Sequence, residues 1–129
     1  TSVCLLPGEM DVELAQVAPY LVGLDDELTA VDWILSEGWG QHWGIFLITE
    51  ASFRAVRQHA RAQLHVYGPD GEPLFFRYYD PRVLRVFLPT CQSHELVDFF
   101  GPVDQYLLEA ENADSLQFYT ISDGVLQSR

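Results

Sequence analysis

Cys91 and His94 stand three residues apart, close to an expected helix start where the helix dipole would stabilise a thiolate. With Asp80 they would supply the nucleophile, base and orienting acid of a cysteine hydrolase. No glycine-rich loop accompanies them to hold an oxyanion, so a buried structural cysteine is the simpler reading. The same Cys-x-x-His pair would form half of a zinc site completed by His59 or His65. A second paired motif is missing, and surface histidines explain the pattern equally well. On these grounds the sequence nominates no catalytic residue, no metal ligand and no cofactor. Cys4 and Cys91 are the two cysteines, both expected reduced and buried.

The stretch FFRYYDPRVLRVFLP (residues 75–89) holds three of the seven arginines of a chain that has no lysine. In an extended segment Phe75, Arg77 and Tyr79 share one face, so the Arg77 guanidinium is expected to stack between two rings. Asp80-Pro81 then reads as a helix start. Proline pushes the preceding residue out of helical geometry, as an N-cap requires, and itself suits the first helical position. These three residues, Arg77, Asp80 and Pro81, therefore form a structural junction. Arg82 and Arg85 project from the new helix away from its apolar face and are candidates for partner binding.

Two more features bear on binding. GWGQHWG (residues 38–44) sets glycines around two tryptophans, which lets the backbone turn tightly and approach its neighbours. Trp43 opens an apolar run and is expected in the core, whereas Trp39 lies in the loop, where a tryptophan can anchor a partner. These glycines are not a phosphate loop, because the Lys-Ser/Thr ending is absent. Downstream, Phe53, Val56, Ala60 and Leu64 fall at helical spacing while Arg54, Arg57 and Arg61 line another face, a second candidate surface.

The elements that must position these residues follow from pattern. SVCLL (residues 2–6) and YLVGL (20–24) read as short strands, with a helical turn at residues 11–16 between them. Asp25 and Asp26 stand at the N-cap of a helix that stops at Gly38. WGIFLI (43–48) has the continuous apolarity of a strand buried on both faces. After the Arg54 helix, residues 64–67 and 74–79 flank Gly-Pro-Asp-Gly as a hairpin. Helices at 81–88 and 93–100 precede a second hairpin, 103–109 with 116–121, and residues 122–129 are expected to be a loose tail. The sum is an α/β chain of mixed α+β type: one domain over residues 1–129, a mixed sheet of about five to seven strands and about four short helices. A core of that size is within reach of 129 residues without staples.

Charge narrows the partners. The net charge is −12, which argues against a phosphate backbone as ligand, and no apolar run is long enough to cross a bilayer. Residues 1–50 carry nine acids and no base, whereas residues 51–85 carry six arginines against three acids. Segregation of this kind steers charged partners, or else simply pairs the arginines with neighbouring acids.

GWGQHWGIFL (38–47), FFRYYDPRVLRVFLPTC (75–91) and ELVDFFGPV (95–103), with APYLVGL (18–24) upstream, resemble the signature segments of a bacterial domain family once called a domain of unknown function, number 4123. Its members include the Tap or Tec adaptor-chaperones of type VI secretion. The resemblance runs through nearly the whole chain in the family's order. It implies a non-enzymatic role: binding a cognate toxic effector in the cytoplasm of a Gram-negative cell and promoting its loading onto the VgrG spike. The expected partners are thus the effector and, secondarily, VgrG, with neither nucleic acid nor membrane.

Two departures from the family pattern stand out. Family domains usually begin with an additional strand and helix before the region matching Ser2, and the Thr1 start suggests a trimmed chain. Many adaptors also continue into a variable lobe, whose absence leaves effector specificity unassigned. No family motif assigns binding residues one by one. An immunity protein that neutralises a toxin fits a small acidic domain as well on composition, and the Cys91/His94 hydrolase stands third.

Overall fold

The computed structural model describes residues 2–6, 18–24, 28–112 and 114–129. The helical turn expected at residues 11–16 and the Asp25/Asp26 cap lie outside these. The chain runs through β1 (Ser2–Cys4), β2 (Tyr20–Val22), α1 (Leu28–Trp33, continued by a π turn over Ile34–Gly38), β3 (Phe46–Ile48) and α2 (Phe53–Ala62). It continues with β4 (His65–Tyr67), β5 (Pro73–Phe75), α3 (Pro81–Phe87, ending in a 3-10 turn over Leu88–Thr90) and α4 (Ser93–Phe100). The last three elements are β6 (Gln105–Glu109), β7 (Leu116–Ser122) and β8 (Val125–Ser128).

The α+β class and single-domain organisation hold, but the expected single mixed sheet does not. The described strands form three separate sheets, β1-β2, β3-β6-β7-β8 and β4-β5, and every pairing is antiparallel. The reason is connectivity: β4-β5, β6-β7 and β7-β8 are hairpins, and short turns can only return a strand antiparallel. Residues 122–129 are likewise no loose tail. A turn with Asp123 and Gly124 at positive φ folds β8 back on β7, pairing Ser122 with Val125 and Tyr119 with Ser128.

The Asp80-Pro81 start read from the sequence is observed, and two further helices are capped by side chains. Ser52 Oγ accepts the amide of Ala55 at 3.1 Å to open α2. Asp80 Oδ1 accepts the amide of Arg82 at 2.9 Å to open α3, with a buried Pro81 in its first turn. At α4 the Gln92 amide donates to Glu95 Oε1 at 2.8 Å, one arm of a capping box. α4 ends at Gly101, whose φ of 48° and close approach to the His59 ring leave no room for a side chain.

The core is aromatic and centres on Phe99. Its ring meets those of Phe76, Tyr78, Phe87, Phe100 and Tyr106 at centroid separations of 5.2 to 6.4 Å. Leu84, Leu88 and Leu108 are fully buried around it. Polar tips that enter this core find acceptors: Tyr78 donates to the carbonyl of Ala60 at 2.8 Å, and His59 Nε2 donates to that of Phe99 at 2.5 Å. Burial raises the Tyr78 and Tyr106 phenols far above their ordinary values.

Candidate functional site

The register of β3 on β6 builds the site. Phe46 pairs with Leu107 and Ile48 with Gln105, so the antiparallel direction carries the chain before Phe46 alongside the end of β6. There the loop of residues 38–44 meets Glu109, a buried acid with 4% exposure. Its Oε2 accepts the Gly40 amide at 2.7 Å and its Oε1 accepts the His42 amide at 3.2 Å. His42 Nδ1 lies 2.7 Å from the same Oε1, an ion-pair separation with the ring turned out of line for a hydrogen bond. Gly40 and His42 both adopt positive φ, 85° and 60°, and their amides point inward at the carboxylate while the intervening Gln41 amide donates to the Gly38 carbonyl. The strain of a left-handed histidine is thus offset by bonds to a buried charge.

Arg85 holds the same residue from the other side, its Nη1 donating to the Glu109 carbonyl at 2.6 Å. β3 covers β6 only as far as Leu107, which leaves that carbonyl available. Glu109 therefore couples α3, the end of β6 and the tryptophan loop.

The loop so anchored presents Trp43. The expected core position for this residue is overturned: Trp43 is 50% exposed and its ring packs on that of Trp33, 58% exposed, at 4.9 Å. Gly38 permits this, because any side chain there would run into the Trp43 ring. Together with β2, α1, β3 and α2 the two tryptophans bound a largely apolar groove of about 690 Å³. Tyr20, Val22 and Ile48 line it, each 43% to 50% exposed. β3 is correspondingly a sheet edge instead of a central strand. Ile45 and Leu47 of its apolar run pack against the core while the whole run borders the groove. Trp39 is half-buried and also lines the groove.

The arginines separate into different jobs. Arg61 Nε donates to the carbonyl of Leu5 at 3.0 Å and so ties α2 to the end of β1. Arg57 is half-buried, with its Nε lacking an acceptor, and Arg54 is exposed. Arg82 grips Asp80 with two bonds, Nε to Oδ1 at 3.0 Å and Nη2 to Oδ2 at 2.7 Å. Those bonds from Arg82 hold the Asp80 carboxyl below its ordinary range despite partial desolvation. Of the six arginines nominated from sequence or junction logic, Arg61, Arg82 and Arg85 are thus committed within the fold. Arg77 does not stack between rings: the strand ends at Phe75, the chain turns through Arg77 to Asp80, and Arg77 is exposed. Phe75 and Tyr79 instead meet edge to face at 6.5 Å.

Cys91 donates through Sγ to the carbonyl of Phe87 at 3.5 Å, and desolvation followed by Glu95 raises its thiol above the ordinary value. His94 is exposed. Among the described residues no group of three His, Cys, Asp or Glu side chains is placed to hold a metal, and no helix is long and apolar enough to cross a membrane.

An antiparallel-sheet α+β domain with an open aromatic groove is the class that this architecture defines. Within it, the chain belongs to the family described as "Domain of unknown function (DUF4123)", which matches residues 1–98, through most of α4. No curated protein and no solved structure matches the chain.

Proposed function

We propose that this domain is a type VI secretion adaptor that binds a cognate toxic effector in the cytoplasm and promotes its loading onto VgrG. The observation that carries this reading is the groove, where Trp33 and Trp43 stand half or more exposed in an otherwise apolar wall. A protein surface rarely leaves two contacting tryptophans in water unless something covers them. The resemblance of residues 38–47, 75–91 and 95–103 to segments of type VI adaptors supports the same reading.

The hydrolase alternative gains nothing from the site. A catalytic thiol needs a depressed pKa, whereas that of Cys91 is raised, and the Asp80 carboxylate is engaged by Arg82 instead of a histidine. Size-exclusion chromatography of the full-length protein with the effector encoded beside it tests the proposal. A stoichiometric complex is expected, and separate elution would count against it.

A further inference from the structure

The groove has an unusual lining. Residues 43–49 and residues 18–24, seven in succession each, all border it. Side chains alternate between the faces of a strand, so a sheet face looking into a groove contributes every second residue. Ile45 and Leu47 pack against the core, Phe46 and Ile48 alternate to the opposite face, and β3 is an edge strand, so a groove that borders all of them runs along its edge. β3 has β6 on one side and the groove on the other, and β2 has β1 on one side and the groove on the other. Among the described residues, no backbone hydrogen bond reaches β3 from the groove side. An edge of this kind carries open amides and carbonyls and is a template for a further strand.

We propose that the space between β2 and β3 accepts an extended segment of a partner protein, apolar along its middle and carrying Lys or Arg beside that run. The segment hydrogen-bonds to the open edge of β3, in the manner of strand addition. This rests on the protein-binding reading above and specifies its chemistry. The charge preference comes from the rim. Asp32, Glu37 and Glu50 are exposed, and each adjoins a lining residue, Trp33, Gly38 or Thr49. No Lys or Arg occurs before Arg54, and the net charge of −12 draws cations from a distance. Arg54 and Arg57 follow the lining residues Phe53 and Val56, which assigns the cationic end of the segment to the α1 and β3 side.

The test is selection of a random-peptide phage library on the immobilised full chain, followed by hydrogen exchange with the synthesised winners. Peptides of alternating β-branched and aromatic residues with basic neighbours are expected, protecting amides within residues 45–49. Ile48→Lys should weaken them about tenfold, as a charge on a sheet edge blocks pairing. The exposed triple variant Asp32→Asn, Glu37→Gln, Glu50→Gln leaves the fold intact and should also weaken them about tenfold, with the difference shrinking in high salt. No enrichment, helical or acidic winners, or protection elsewhere would overturn the inference. Self-association with protection of residues 45–49 in the absence of peptide would overturn it in favour of a second copy. An effector that binds but protects another surface would overturn strand addition and leave the adaptor reading standing. Basic peptides that protect β3 while the effector fails to bind would do the reverse.

Discussion

The buried carboxylate of Glu109 accepts the backbone amide of Gly40 at 2.7 Å, across 69 residues of sequence. The contact helps fix the tryptophan loop, because the left-handed φ of His42, unfavourable for a residue with a side chain, is offset by amide bonds to the same carboxylate. Glu109→Ala leaves the Gly40 and His42 amides without their buried acceptor and should cost roughly 2–4 kcal/mol. Glu109→Gln keeps one acceptor oxygen but turns an NH2 group toward an amide, and should cost less than alanine. Urea unfolding followed by tryptophan fluorescence measures both, and equal stability of all three proteins would contradict this assignment.

Gly38 and Gly101 should both resist substitution, for different reasons. Gly38→Ala drives a methyl into the Trp43 ring, so the Trp33–Trp43 pair opens and its fluorescence changes while the core stays intact. Gly101→Ala meets the His59 ring with a positive φ as well and should lose about 1–3 kcal/mol of stability. Near-ultraviolet circular dichroism separates the two: the first variant alters the tryptophan bands at nearly unchanged melting temperature, the second lowers that temperature.

Asp80 gives a pH-dependent prediction. Its folded pKa lies below the ordinary 3.8, chiefly through the bonds from Arg82. A depressed carboxyl stabilises the fold above its unfolded pKa, and that contribution disappears as pH falls through the folded value. Asp80→Ala removes the α3 cap and should cost about 1 kcal/mol at neutral pH. That gap should narrow as pH falls below 3.8, where Asp80 loses its charged bonds to Arg82, and Asp80→Asn, a neutral cap, should fall short of wild type at neutral pH and match it in acid. A gap that persists unchanged into acid would show that the carboxylate is not the stabilising group.

Cys91 should behave as a packing residue. Its thiol titrates above the ordinary 9.0, so alkylation by iodoacetamide at neutral pH should be slower than that of a free thiol. Cys91→Ala should leave effector binding and delivery unchanged. Loss of delivery in a stably folded Cys91→Ala protein would reopen the hydrolase reading.

What was legible in the sequence was local. The Asp80 cap, the apolar stripe of α2 and the turn between β4 and β5 each depend on a few neighbouring residues. The site was not legible, because its determinants are contacts between distant segments. Glu109 reads as the last residue of an ordinary strand, and nothing local says that a loop 67 to 69 residues earlier closes on it. Arg61 and Arg85 look like solvated cations until Leu5 and Glu109 supply backbone carbonyls. The apolar run of β3 has the same pattern whether a strand is central or lines a groove, so the edge position and the exposure of Trp43 escaped pattern reasoning. The left-handed φ of His42 fits histidine's tolerance of that region, but Gln41 and Trp43 beside it give the sequence no sign of it.

The central claim is that the Trp33–Trp43 groove binds an effector, and isothermal titration of the full-length protein with that effector tests it most directly. Trp33→Ala with Trp43→Ala removes two side chains that are half or more exposed, so stability should change little. A stoichiometric complex with wild type, weakened at least about tenfold by the double substitution, is the predicted result. No heat of binding with wild type, or equal affinity for both proteins, would contradict it.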